Sequence, residues 1–166
     1  MGSQVVRDDR RLYDQIRREL AKMRRMSITV GIHADNARRS DGGIDNVAIG
    51  AIHEFGGGNV PERSFLRSTV DQDPTILDFA QSQASAVAHG QMTANQAGER
   101  IGIVTTDKVK RRIRSSIPPA LQPETIERKL EKGAHGGGMQ SLASTAAVPL
   151  IDSGQLINSI DYQVHQ

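Results

Sequence analysis

The sequence predicts an α+β domain, a small antiparallel sheet flanked by several helices, with an extended loop or arm. Three observations lead there. Ser27 to His33 alternates Ile28, Val30 and Ile32 with Thr29, Gly31 and His33, and Ile160, Tyr162 and Val164 alternate near the end of the chain, so two short strands lie far apart in sequence. Between them, apolar residues recur at steps of three and four, the spacing of helices with one buried face. From Ile117 to Leu150, proline and glycine then interrupt every periodicity. The chain accordingly divides into a basic N-terminal helix with a short arm (1–26), an α+β core (27–116), an extended flexible arm or loop (117–150), and a short helix with a closing strand that completes the sheet (151–166).

The first helix runs from Asp8 to Met26. Leu12, Ile16, Leu20 and Met23 form its stripe, with Arg10, Arg11, Arg17, Arg18, Lys22, Arg24 and Arg25 around it. Its arginines read as a solvated face or a contact for an acidic protein neighbour. Met1 to Val6 reads as a loose arm. The strand at Ser27 follows, and Ala34 to Ile44 is a polar, exposed loop.

The stretch Asn46 to Val70, NVAIGAIHEFGGGNVPERSFLRSTV, carries the most specific signal. Ala48, Ala51, Ile52 and Phe55 fall at i, i+3, i+4 and i+7, which predicts a helix buried on that stripe. Asp45 or Asn46 caps its start, and the left-handed conformation that glycine permits, at Gly56 to Gly58, ends it. His53 and Glu54 suggest a zinc protease, but that motif needs a second His four residues on, where Gly57 stands. Pro61 turns the chain into a helix beginning at Phe65 and Leu66. Asp73 and Pro74 start the next, with Ile76, Leu77, Ala80, Ala84 and Val87 as its stripe. Thr93 and Gln96 make a capping box for a long helix carrying Ala97, Ile101, Thr105, Val109 and Ile113. Lys108, Lys110, Arg111, Arg112 and Arg114 crowd its C-terminal end, where the backbone dipole favours cations.

In the last segment Asp152 or Ser153 caps a short helix whose Leu156 points inward, and the strand after it pairs with Ser27 to His33. Asp152-Ser153-Gly154 lacks the glycine that precedes the serine of a nucleophile elbow. Gly133 to Ala147 lacks the Gly-Lys-Ser/Thr of a phosphate loop and reads as a flexible linker.

Composition narrows the classes further. With 166 residues, 37% hydrophobic and 24% charged, the chain suits one globular domain. It has no Trp, two Tyr and three Phe, so the large rings that supply much buried area are scarce and a monomer gains from burial against partners. The absence of Cys excludes disulfides, thiolate metal sites and cysteine nucleophiles. A net charge of +2 is too mild to require nucleic acid. No apolar run approaches a membrane span and the N-terminus is charged, so a cytoplasmic protein without membrane contact is expected.

Two boxes carry a family resemblance. The segment AIHEFGGGNVPERSFLRST resembles the signature of the phage tail-completion proteins, in which a helix ending in HEFG or YEFG leads through a variable loop to P-x-R-P-F-L-R. Here the positions are His53, Glu54, Phe55 and Gly56, then Pro61, Arg63, Phe65, Leu66 and Arg67, with Ser64 at the usual second proline. Farther on, Thr125, Ile126 and Lys129 match a T-I-x-x-K element. Pro149, Leu150, Asp152, Ser153, Gly154, Leu156, Ser159 and Ile160 match P-L-x-D-T-G-x-L-x-x-S-I, with serine for threonine at Ser153. The boxes and the elements between them span about Ser27 to Val164.

The resemblance implies a structural virion protein of the neck, a hexameric ring that completes the tail and joins it to the DNA-filled head. Its implied partners are other copies of itself, the tail terminator or tail tube protein, the head-side connector or adaptor, and phage DNA passing through without sequence-specific contact. It implies assembly in the host cytoplasm, binding without catalysis, and no cofactor or metal. Arg63 and Arg67 are expected to pair with acidic groups within or between subunits, and Phe65 and Leu66 to anchor the helix in the core. The rival reading is a basic DNA-binding protein acting through the first helix and Lys108 to Arg114.

Overall fold

A computed structural model describes residues 10–40, 42–134 and 148–166. Helix α1 (Arg10–Met23) leads to strand β1 (Ser27–Ile32) and a single 3-10 turn (Ala34–Asn36). Helices α2 (Asn46–Phe55), α3 (Arg67–Gln72), α4 (Pro74–Ala88), α5 (Ala94–Arg114) and α6 (Pro123–Ala134) follow, then α7 (Gln155–Asn158) and strand β2 (Ile160–His165). The fold is α+β, as the sequence predicts. No described helix is long and apolar enough to cross a membrane.

The strands pair antiparallel with Ser27 opposite His165 and Ile32 opposite Ile160. This register places Ile28 and Val164, Val30 and Tyr162, and Ile32 and Ile160 as cross-strand pairs on one face, and α5 covers that face. Helix α5 is the axis of the molecule, touching α1, α3, α4 and both strands. It approaches the sheet closely because its inward positions include Gly98 and Gly102. A β-carbon at Gly102 would lie under 3.0 Å from three atoms of the Tyr162 ring. That ring is held in turn, since its hydroxyl donates to Glu99 Oε2 at 2.5 Å. This bond to the carboxylate, together with burial, pushes the phenol up to about 12.

Gly102→Ala is therefore expected to cost about 1–3 kcal/mol through overpacking. Gly50→Ala meets the flexible Cδ1 end of Ile32 instead and should cost less. Urea midpoints check the order, and a Gly102→Ala protein as stable as wild type would show that the ring does not sit on α5 as described.

The core gathers Phe65, Val109, Ile113, Ile117, Leu150, Leu156, Ile157 and Ile160. Burying Phe65 completely is worth about 2–3 kcal/mol. Local signals place most helix starts where the sequence put them. Asp45 caps α2 through the Ala48 N–H at 2.7 Å, Asp73 caps α4 ahead of Pro74, and Thr93 and Gln96 form the capping box of α5. Gly56, at φ 73°, ends α2.

Three expectations need correction. Residues 117–150 are not one extended arm, because Pro123–Ala134 is helical and both ends of the segment are buried, at Ile117 and at Pro149 and Leu150. The linker expected over Gly133–Ala147 lies outside the described residues apart from the last two positions of α6, as does the arm Met1–Val6. Helix α3 starts at Arg67, two residues after Phe65. The cap position of α7 falls on Gly154, at φ 79° and without a side-chain cap, in place of the expected Asp152 or Ser153; Ser153 Oγ just before it accepts the Gln155 N–H at 3.5 Å, and Leu156 is buried as expected.

Helix α1 buries no residue completely, and Leu12 remains 46% exposed. It docks on α5 partly through Glu19, whose Oε2 accepts the Ala94 N–H at 2.8 Å. His33, expected to face away from the core, is half-buried with Nε2 3.1 Å from Thr29 Oγ1.

Candidate functional site

Helix α2 is turned relative to its apolar stripe. Its buried positions are Asn46, Gly50 and Glu54, spaced at i, i+4 and i+8, whereas Ala51, Ile52 and Phe55 are exposed. Three of the four stripe residues expected to face the core thus face out, with Phe55 at 64% and Ile52 at 36% exposure, while Ala48 is half-buried. The physical reason lies in Glu54.

Its carboxylate is 3% exposed and accepts five hydrogen bonds. Oε2 takes the N–H groups of Phe65 and Leu66 at 2.8 and 2.9 Å. Oε1 takes the Arg67 N–H at 2.9 Å, the Ser64 hydroxyl at 2.7 Å and Arg67 Nε at 3.2 Å. The unpaired backbone donors at the start of a helix attract negative charge, and here an acid from a different helix meets them at α3. Burial pushes the Glu54 carboxyl up, but the bonds from Leu66, Ser64, Arg67 and Phe65 outweigh it and hold the group below the usual glutamate value.

The rest of the first box closes around this contact. Arg67 Nη2 donates to the Glu54 carbonyl at 3.0 Å and to Glu62 Oε1 at 2.9 Å, while its guanidinium lies 4.8 Å over the Phe55 ring. Gly56 is required because Glu62 backbone nitrogen would stand 3.1 Å from any β-carbon there. Gly57 and Val60 bridge the loop, Pro61 sits exposed at its far side, and the Arg63 N–H returns to His53 O at 2.7 Å. Ser64 is tied into the same contact: its hydroxyl donates to Glu54 and accepts the Ser68 N–H at 3.2 Å.

Arg67 therefore pairs with acids, as expected, whereas Arg63 has no acidic partner among the described residues. The Arg63 guanidinium is 5% exposed and donates to the carbonyls of Pro119 at 2.9 Å and Ala120 at 3.4 Å. It fastens the first box to the turn after α5. Phe65 is fully buried and Leu66 half-buried beside it.

The two boxes meet across α2. On one side, Ile49 and His53 face Leu150, Asp152, Ser153, Gly154 and Leu156 across a cavity of about 260 Å³, together with Thr125 and Lys129 of α6. On the other, Ile32, Val47, Ala51, Phe55, Leu66 and Arg67 line an apolar groove, also about 260 Å³. Sequence reasoning missed Val47 as a surface residue. The helix is apolar almost all round, so periodicity alone could not select its buried face. The pairing of Glu54 with donors eleven to thirteen residues later carries no sequence period.

Among the described residues no three His, Cys, Asp or Glu side chains are gathered to hold a metal. Both Glu54 oxygens are occupied by structural donors, which leaves that carboxylate no lone pair directed at a substrate. The basic run of α5 is partly engaged within the protein: Lys108 Nζ lies 2.6 Å from Asp73, Arg111 lies 2.5 Å from Asp107, and Arg112 Nε donates to Ser68 at 3.4 Å. Comparison with known protein families, curated proteins and solved structures finds no match for this chain.

Proposed function

We propose that this chain is a structural assembly protein of the phage neck, a homo-oligomeric ring that completes the tail and joins it to the head. The observation that carries the reading is the outward apolar face of α2. Val47, Ala51 and Phe55, with Ile32 and Leu66, form one apolar groove on a chain short of large apolar side chains. Contiguous apolar surface of this kind marks contact with another protein. The first of the two boxes that resemble the tail-completion signature builds this face: Glu54 turns α2 so that its apolar side is presented, and Arg63 and Phe65 lock the turn behind it.

On this reading the protein acts by binding and performs no chemistry. Its partners are neighbouring copies, the tail terminator or tail tube protein and the head-side connector. Sequence-specific DNA recognition is disfavoured because Lys108, Arg111 and Arg112 already bond to side chains of the same chain. The deciding experiment is the particle population formed without this protein. Separate full heads and finished tails are expected, and normally joined virions would refute the reading.

A further inference from the structure

Helix α1 carries a seven-residue repeat. Arginine pairs stand at 10 and 11, 17 and 18, and 24 and 25, while Tyr13, Ile16, Leu20 and Met23 follow one another at steps of three, four and three. That is the a/d seam of a coiled-coil helix, with Arg10, Arg17 and Arg24 at successive e positions. The Arg24 N–H bonds to Leu20 O at 3.1 Å, so the helical step holds to the last of them. The opposite flank of the seam, the g positions, faces the protein itself: Leu12 lies against Gly90, Glu19 accepts the Ala94 N–H, and Met26 lies against Gly98. The e flank is left open. Tyr13 is 67% exposed, Leu20 is half-buried, and the guanidinium groups of Arg17 and Arg24 make no ion pair with a described residue.

Helix α6 carries the complement. Glu124, Glu127 and Glu131 recur at i, i+3 and i+7 on one exposed flank, beside half-buried Ile126 and Leu130, which is 42% exposed. None of the three carboxylates makes an ion pair with a described residue. The basic side chains next to them turn elsewhere, Arg128 to Glu124 O and Thr125 Oγ1, and Lys129 to the carbonyls of Val148 and Ile151. Glu124 and Glu131 are separated by the same seven residues as Arg17 and Arg24, about 10 Å along either helix.

Within one molecule these flanks stand apart. Helix α1 is fixed at the N-terminal end of α5, through Ala94 and Gly98. Helix α6 lies toward the other end, where Thr125 and Lys129 face Leu150 and Leu156, and those two leucines pack with Val109 and Ile113. The 21 residues of α5 make it about 30 Å long.

We propose that α1 of one copy packs against α6 of the next, Tyr13 and Leu20 on Ile126 and Leu130, with Arg17 and Arg24 paired to the glutamates of that helix. Nucleic acid would neutralise the arginines but leave Tyr13 and Leu20 in water, whereas an acidic helix with an apolar edge covers both. Because two different surfaces meet, the contact is head-to-tail and passes from copy to copy, closing into a ring where the rotation between neighbours allows. It rests on the homo-oligomeric part of the reading above and adds a second point of contact to the α2 groove.

Sedimentation velocity of the full chain tests this. Wild type should self-associate with an apparent Kd of about 1–100 μM, more weakly as salt rises. Arg17→Glu with Arg24→Glu, and separately Glu127→Lys with Glu131→Lys, place like charges across the contact, and each pair should weaken association by about 10-fold or more. An equimolar mixture of the two variants should recover it, since the acidic α1 of one then meets the basic α6 of the other. Circular dichroism checks that each variant folds; if the α1 variant does not, the folded α6 variant decides by losing or keeping association. A monomeric wild type, wild-type association in either variant, or no recovery in the mixture would overturn the proposal. So would an α1 variant that loses binding to a short DNA duplex while its self-association is intact. The particles formed without the protein judge the neck reading separately, whichever of these results is obtained.

Discussion

Glu54→Ala is expected to destabilise the protein by about 3–5 kcal/mol, the cost typical of removing one partner from a buried charged network. For a chain of this length that corresponds to a fall in Tm of about 10 °C. The loss has two sources. Three backbone N–H groups at the start of α3 lose their acceptor, and Arg67 loses its buried carboxylate while keeping Glu62. Glu54→Gln should recover part of this, since one carbonyl oxygen remains, but its NH2 group then faces N–H donors. Urea unfolding at neutral pH gives both values. Wild-type stability in Glu54→Ala would mean that the α2 to α3 junction does not depend on this carboxylate.

The same group makes stability depend on pH with a definite sign. The folded-state pKa of Glu54 lies below its unfolded value of about 4.3, so its contribution is fully present above that value. The contribution disappears as pH falls through the folded pKa. Wild type should therefore lose stability in acid more steeply than Glu54→Gln, which has no proton to take up at that position.

On the proposed assembly reading, Phe55→Asp should have the largest effect on assembly and little on the monomer. The ring is 64% exposed, so within the fold the substitution removes only its stacking against Arg67, worth about 0.5–1 kcal/mol. At an interface centre, an aromatic anchor of this kind carries about 2 kcal/mol or more, roughly a 30-fold weakening of each subunit interface. Incorporation of the variant into particles, measured against Gln81→Asp on the exposed side of α4, separates the two effects. If Phe55→Asp entered particles as well as the Gln81→Asp control, the apolar face of α2 would not be the contact surface.

Much of the fold was legible because its signals are local. Asp45, Asp73 and the Thr93 and Gln96 box announced helix starts through bonds spanning two or three residues, and the Ile28, Val30 and Ile32 alternation announced a strand with one covered face. The pairing of β1 with β2 was also open to inference, since each strand offers the other an apolar face. Helix α6 was missed because Pro123 and the nearby glycines suggested a break, whereas proline suits a first helical turn.

By itself, then, the sequence determined the α+β class, the order of most elements and the two boxes around His53 to Arg67 and Pro149 to Ile160. Only the tertiary structure decided which side of α2 is buried and what the box residues do. The reason is that α2 is apolar on nearly every side, so burial of any stripe would satisfy a periodic pattern. A buried carboxylate must instead satisfy its full hydrogen-bonding capacity. The donors that do so lie at Ser64 to Arg67, brought to Glu54 by the turn at Gly56 and by the anchoring of Arg63 on Pro119 and Ala120. That requirement, set across the fold and not along the chain, turns Val47, Ala51 and Phe55 outward.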